Sequence, residues 1–326
     1  MTEVQACMPK VSILIPVFNR KDYIAECIQS ALDQTFTDFE VVVVDNASED
    51  GTWEICQQFA ANDQRVRIFQ NDTNIGPVRN WLACVEKAQG EFGKILFSDD
   101  LMFPRFLEHT LPHFECPEVG FVSTAALIGT IIENGVIRYS DASEVQRLSS
   151  ERYFELLLTA RVPFSPGAAI FRMADIRVNL RPSFSTCMPQ DFTKTGAGPD
   201  VLLYALTAIN YKSVVVLPIA DVFFRGHADS FTTANSDEVA KGYRAALAWF
   251  CKTKLSKDHW TKYVARAWLS KAMNTHRLTS LTRHCLALEG RGDIVEASAL
   301  LMAIARIAIL ELFKFAYKIK RKGVKK

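Results

Sequence analysis

From Val11 to Val17 the chain reads VSILIPV, a nearly continuous apolar run of the length that suits a strand covered on both faces. The period then changes. Between Asp22 and Gln34, the residues Tyr23, Ile24, Cys27, Ile28, Ala31 and Leu32 fall on one stripe, which predicts a helix. FEVVVV (39–44) predicts a second buried strand, and Glu49 and Asp50 open a helix to about Asn62 with acids at its positive end. Val66 to Phe69 reads as a third strand, Gly76 to Gln89 as a third helix, and Ile95, Leu96 and Phe97 as the end of a fourth strand. Four strands alternating with helices predict a parallel sheet with right-handed crossovers and helices on both faces.

Beyond Pro104 the pattern becomes mixed. FVSTAALIGTIIENGVIRY (121–139) predicts two strands around Glu133-Asn134-Gly135, because Asn-Gly supplies the positive φ of a tight hairpin. Residues 149–160 read as helix, Ala168 to Phe171 as strand, Asp200 to Asn210 as helix and Ser213 to Leu217 as strand. From about Asp237 strand signals cease. The chain therefore divides into an α/β domain over 1–235 and a helical extension over 236–326.

Ligands of such sheets bind beyond the carboxyl ends of the strands. Those ends carry Asn19 and Arg20, Asp45 and Asn46, Asn71 and Asn74, and Asp99 and Asp100, all polar and all directed by the topology to one edge. Asp45 could accept from a nucleobase N–H or a ribose hydroxyl; it could equally begin a helix-capping series. In FSDDLMFP (97–104), Asp99 and Asp100 are hard oxygen donors of the kind that bind Mg²⁺ or Mn²⁺ together with phosphates, or they cap the following helix.

Composition narrows the classes. The 326 residues are 49% hydrophobic and 23% charged, with a net charge of +2, too small a basic excess to suggest a nucleic-acid partner. Eight scattered cysteines show no paired or metal-ligand spacing, as expected of reduced thiols in a cytoplasmic protein. MTEVQACMPK has no apolar secretory segment. The stretch Ile294 to Lys326 joins an apolar stripe, interrupted by Glu296, Arg306 and Glu311, to a basic cluster ending in Lys325 and Lys326. That pattern predicts an interfacial amphipathic helix on a membrane surface rather than a spanning one. His109 and His113 lie one helical turn apart without a third ligand and are expected to decorate a helix surface.

PVFNR (16–20), VVVVDNASEDGT (41–52), NIGPVRN (74–80), GEFGKILFSDD (90–100) and Pro104 together resemble, in order and spacing, the family 2 glycosyltransferases of GT-A fold. The resemblance covers roughly residues 10–230. It implies a Rossmann-type mixed sheet flanked by helices and an inverting transfer of sugar from a nucleotide-sugar, UDP-linked, to a glycan or lipid-linked acceptor in surface polysaccharide synthesis. It implies that Pro16, Phe18, Asn19 and Asp45 hold the nucleotide and that Asn74, Gly76, Arg79 and Asn80 line the nucleotide and donor-sugar side. Asp99 and Asp100 match the metal-binding acids, although Phe97 stands where the family's pattern has its first acid. Asp200 in GPDVLLYAL (198–206) matches the catalytic base, with Asp191 as a rival. Arg225 and His227 in FFRGHADSFT (223–232) match an Arg-x-His pair, expected to meet the diphosphate and the metal. The competing classes are a sugar nucleotidyltransferase, which would carry a glycine-rich phosphate loop after the first strand, and a noncatalytic nucleotide-sugar-binding protein.

Overall fold

The computed structural model describes residues 8–139, 143–158, 161–184, 192–227, 236–261 and 263–265. The predicted alternation is present: β1 (Val11–Val17), α1 (Ile24–Leu32), β2 (Phe39–Asp45), α2 (Thr52–Asn62), β3 (Val66–Gln70), α3 (Pro77–Lys87) and β4 (Phe92–Ile95). Every residue of β1 and β2 is buried, which is why those strands carry apolar runs without alternation. The stripe of α1 buries Ile24, Cys27, Ile28 and Ala31.

A two-residue β5 (Leu101–Met102), α4 (Phe106–Thr110), β6 (Val119–Gly129), β7 (Val136–Arg138), β8 (Gln146–Ser149), α5 (Ser150–Leu157), β9 (Ala169–Arg172), α6 (Met173–Asn179), α7 (Phe192–Thr195), α8 (Pro199–Ala208) and β10 (Ser213–Arg225) follow, then the long helix α9 (Ser236–Lys254). One mixed sheet runs in the order β3-β2-β1-β4-β9-β6-β10-β5, with β7 added to β6 and β8 to β10. The first four strands are mutually parallel. β9 is antiparallel to both β4 and β6, whereas β6 and β10 are parallel. This is the mixed sheet flanked by helices of the GT-A fold.

Three local expectations are corrected. β4 stops at Ile95, because the Asp100 amide bonds the Phe97 carbonyl at 3.0 Å and turns the chain. Gly135 has φ −66°, so Asn-Gly forms no positive-φ hairpin; the Asn134 side chain instead ties the turn to Thr130 Oγ1 at 2.9 Å and to the Ile131 amide at 3.2 Å. β10 continues eight residues past Leu217. The apparent stop at Pro218 falls where the pairing with β6 slips its register, the kind of place a strand tolerates proline.

The chain separates into two compact units, Met1–Phe184 with Asp191–Tyr243, and Ser185–Gln190 with Arg244–Lys326. No helix among the described residues is long and apolar enough to cross a membrane. The predicted amphipathic segment at 294–326 and Asp191 lie outside the described residues. The five described cysteines, Cys27, Cys56, Cys84, Cys116 and Cys251, are free thiols.

Candidate active site

The loops after β1 and β2 interlock. Asn19 and Ala47 both have positive φ, 49° and 62°. Asn19 donates its amide to Ser48 Oγ at 2.8 Å and accepts the Glu49 amide on its Oδ1 at 3.0 Å. Asparagine tolerates that backbone and supplies a short side chain to bond locally, so the PVFNR turn is built around it. Pro16 sits inside buried β1, while the neighbouring Phe18 is 39% exposed.

Asp45, at the end of β2, is fully buried and already engaged. Ser48 donates its hydroxyl and amide to the carboxylate at 2.5 and 3.0 Å, and Gln70 donates its amide at 2.9 Å. Beside it lies a web of asparagines. Asn46 donates to Asn74 at 2.8 Å, Asn71 donates to Asn46 at 3.0 Å and to Asn80 at 2.9 Å, and the Ile75 amide donates to Asn46 at 3.0 Å. Gly76 holds φ +84° at the start of α3, where a Cβ would lie 3.1 Å from the Thr193 carbonyl. Asn80 is buried and donates to the carbonyls of Val17 and Val44 at 3.4 and 3.0 Å. It therefore clamps the ends of β1 and β2 from within. Arg79 is exposed, its Nη1 3.5 Å from the Ile75 carbonyl.

The structure brings the acids of the loop after β4 together with the end of β10. Asp99 Oδ2 is 3.0 Å from His227 Nε2 and 3.7 Å from Arg20 Nε. Arg225 donates its Nε to the Asp99 carbonyl at 3.0 Å, its amide to Asp100 Oδ1 at 2.9 Å and its Nη2 to Glu26 at 2.6 Å. The two residues predicted for metal and diphosphate near 225 thus meet the two predicted near 100. Asp100 is buried, and burial followed by the neighbouring Asp99 pushes its carboxyl well above the usual range. Phe97 turns its ring toward Trp81, with centroids 5.3 Å apart.

Beneath this loop lies Lys94, which is not among the site residues expected from the sequence. Its side chain is fully buried, its Nζ donates to the carbonyls of Ile95 and Gly167, and it stands 4.6 Å from the centre of the Phe106 ring. Burial lowers its pKa to about 7, with Asp100 pulling the other way. The one available signal was a lysine inside an otherwise apolar strand. Tyr23 and Glu26 were likewise missed as site residues, since Tyr23 reads simply as a member of the α1 stripe.

Asp200 opens α8 after Gly198, whose φ is +123°. Its Oδ1 accepts the amides of Gly198 and Val201 at 2.8 and 2.7 Å, and its Oδ2 accepts the Tyr243 hydroxyl at 2.7 Å. The carboxylate therefore caps its own helix. Burial raises its pKa to about 6 against those three hydrogen bonds. His109, expected on an open helix surface, instead lies 2.9 Å from the buried Asp221 on β10, a pairing that its spacing from His113 could not reveal.

The residues present suit a hard divalent cation. Among the described residues the buried His227 Nδ1 has no partner while Nε2 faces Asp99, an imidazole oriented by a carboxylate. Among the described residues no three His, Cys, Asp or Glu side chains converge as a ready-made cage. A small donor set is what Mg²⁺ or Mn²⁺ uses when phosphate oxygens and water complete the shell.

A parallel half-sheet delivering interlocked polar loops, acids and an Arg-x-His pair to one edge of a mixed sheet defines an α/β protein of the GT-A fold. The family described as Glycosyl transferase family 2 matches residues 12–178, about half of the chain, and the protein belongs to that family. The putative glycosyltransferase EpsE of Bacillus subtilis (strain 168) is 36% identical over 108 residues, covering 33% of this chain and 39% of EpsE. Chondroitin synthase of Escherichia coli is 42% identical over 108 residues, 33% of this chain and 16% of the synthase. The matched segments thus span well under half the length of these curated relatives. Among solved structures, Staphylococcus aureus TarS 1–349 in complex with UDP-GlcNAc superposes with TM-score 0.61 at 20% identity, covering 90% of this chain and 79% of that one. The mannosyltransferase PcManGT of Pyrobaculum calidifontis, in complex with GDP-Man and Mn²⁺, superposes with TM-score 0.57 at 18% identity, covering 97% and 85%.

Proposed function

We propose that this protein is an inverting glycosyltransferase that moves a sugar from a nucleoside diphosphate sugar, UDP-linked, to a hydroxyl of a glycan or lipid-linked acceptor in surface polysaccharide synthesis. The observation that carries the reading is the convergence of Asp99, His227, Arg225 and Arg20 at the carboxyl edge of the parallel half-sheet. Family membership and the donor complexes of TarS and PcManGT support it.

In this reading Pro16, Phe18, Asn19 and Asp45 receive the nucleotide, and Asn74, Gly76, Arg79 and Asn80 form or support the wall toward the donor sugar. Arg225 offers forked donors to the diphosphate. Asp99, Asp100 and His227 would hold Mg²⁺ or Mn²⁺, Asp100 from its buried position behind the loop. The bound cation would supply positive charge that stabilises the departing diphosphate. Asp200 takes the proton of the acceptor hydroxyl as that oxygen attacks the anomeric carbon from the face opposite the leaving group. General-base assistance of this kind contributes on the order of 10²- to 10⁴-fold. The extension, with its basic amphipathic end, would hold the enzyme peripherally on the cytoplasmic face of a membrane.

The test is release of nucleoside diphosphate from a panel of UDP- and GDP-sugars with Mn²⁺, with and without glycan and lipid-linked acceptors. Acceptor-stimulated release with inverted product supports the proposal. Donor binding without turnover on any acceptor would favour the noncatalytic reading, for which Phe97 in place of an acid is the specific observation. The PVFNRKDY loop has no glycine-rich phosphate loop to recommend a nucleotidyltransferase.

A further inference from the structure

We propose that Tyr23 is a positioning residue of the donor site, its ring being the surface against which His227 and Arg225 are held onto Asp99. The inference rests on the glycosyltransferase reading and adds a residue to it. Tyr23 lies immediately before α1, about two hundred residues from the end of β10 in sequence. Its ring stacks on the His227 imidazole with centroids 4.9 Å apart and planes inclined by 29°, and the Arg225 guanidinium carbon lies 5.3 Å from the ring centre. The same two side chains contact Asp99, His227 through its carboxylate and Arg225 through its carbonyl.

Among the described residues His227 Nδ1 has no hydrogen-bond partner, and the imidazole is held by Asp99 on Nε2 and by the face of Tyr23. Arg225 is fixed similarly, between the Asp99 carbonyl, Glu26 one turn along α1, and the rings of Tyr23 and Phe223. The Tyr23 backbone is itself anchored: its amide donates to the Arg20 carbonyl at 2.9 Å, and its carbonyl accepts the Cys27 amide at 3.0 Å. Backbone anchoring, and contacts made by the ring face, imply that the aromatic surface matters and the hydroxyl does not. An aliphatic side chain of similar bulk would fill the space yet offer no quadrupole to the guanidinium and no flat partner to the imidazole.

The experiment compares Tyr23→Phe and Tyr23→Leu in the full chain, with calorimetric UDP binding in the presence and absence of Mn²⁺, donor KM and kcat, and thermal melting. Tyr23→Phe should bind UDP within about twofold of wild type. Tyr23→Leu should lose about tenfold of the Mn²⁺-supported affinity, as expected when stacking and cation–π contacts are both removed, with the loss in KM more than in kcat. A merely structural role would lower the melting temperature while leaving the ratio of affinities with and without Mn²⁺ unchanged, and that result overturns the assignment. So does wild-type affinity in Tyr23→Leu. Should Tyr23→Leu fail to fold, Tyr23→Met provides a second side chain without a ring, read in the same way. A wild-type protein that binds neither UDP nor GDP with Mn²⁺ overturns the functional reading itself, an outcome distinct from tight binding shared by the wild type and the leucine variant.

Discussion

At the residue scale, Asn80 and the proposed base Asp200 are each held in place by hydrogen bonds to the surrounding fold. Asn80 bonds the ends of β1 and β2 from a buried position, so Asn80→Ala removes its hydrogen bonds to the Val17 and Val44 carbonyls and from the Asn71 side chain. The Asn46 amide still bonds the Val17 carbonyl, and Asn71 still donates to Asn46. An intramolecular hydrogen bond contributes about 0.5–1.5 kcal/mol net, and urea unfolding of Asn80→Ala should show a loss of about 2 kcal/mol. Asp200 has its pKa raised by burial from 3.8 to about 6. A base must be ionised to act, so transfer should fall about tenfold per pH unit below about 6. Asp200→Asn should abolish transfer at every pH and still bind donor; a mutant with normal turnover would remove Asp200 from the base role. The sign for stability is opposite to that of a salt-bridged acid. Folding favours the neutral carboxyl, so the fold loses stability from this group as pH rises from 3.8 through about 6.

At the element scale, the short strand β4 carries the buried Lys94 and leads into the loop that holds Asp99 and Asp100. Lys94 ties β4 to the turn Pro166–Ala168 by donating to the Gly167 carbonyl. Its pKa is lowered from 10.5 to about 7, so folding favours the neutral amine and stability from this group rises as pH climbs from about 7 toward 10.5. Lys94→Met should flatten that rise, which melting temperatures at pH 7 and 9 would show. The alternation from β1 to β4 was legible because buried parallel strands and amphipathic helices write different periods into the chain. The strand ends Asn19, Asp45, Asn74 and Asp99 were legible for the same reason, since topology sends them to one edge. What the pattern could not reveal was partnership over long separations: Tyr243 on Asp200, Asp221 against His109, and Tyr23 under His227. Side-chain contacts of this kind leave no periodic trace. The Asn134-Gly135 turn misled because its asparagine acts through its side chain rather than its φ.

At the scale of the whole molecule, the proposed membrane contact belongs to the segment 294–326. The full chain should sediment with vesicles rich in anionic lipid and be released at about 0.5 M salt, whereas a chain ending at Asp293 should stay in solution. Vesicle binding by the shorter chain would move the contact elsewhere. The sheet order has a further consequence for the timing of assembly. β5, which follows the acids directly, ends the sheet path and is held by only two register pairs to β10, a strand that closes more than a hundred residues later. The β1–β4 half can therefore nucleate early through short-range pairing, while the acids acquire Arg225 and His227 only after a long loop has closed. The same edge is the first expected to open on heating. Catalytic competence should be lost before the cooperative melt of the β1–β4 core, and the difference between the two temperatures would measure how loosely the last-formed edge is fastened.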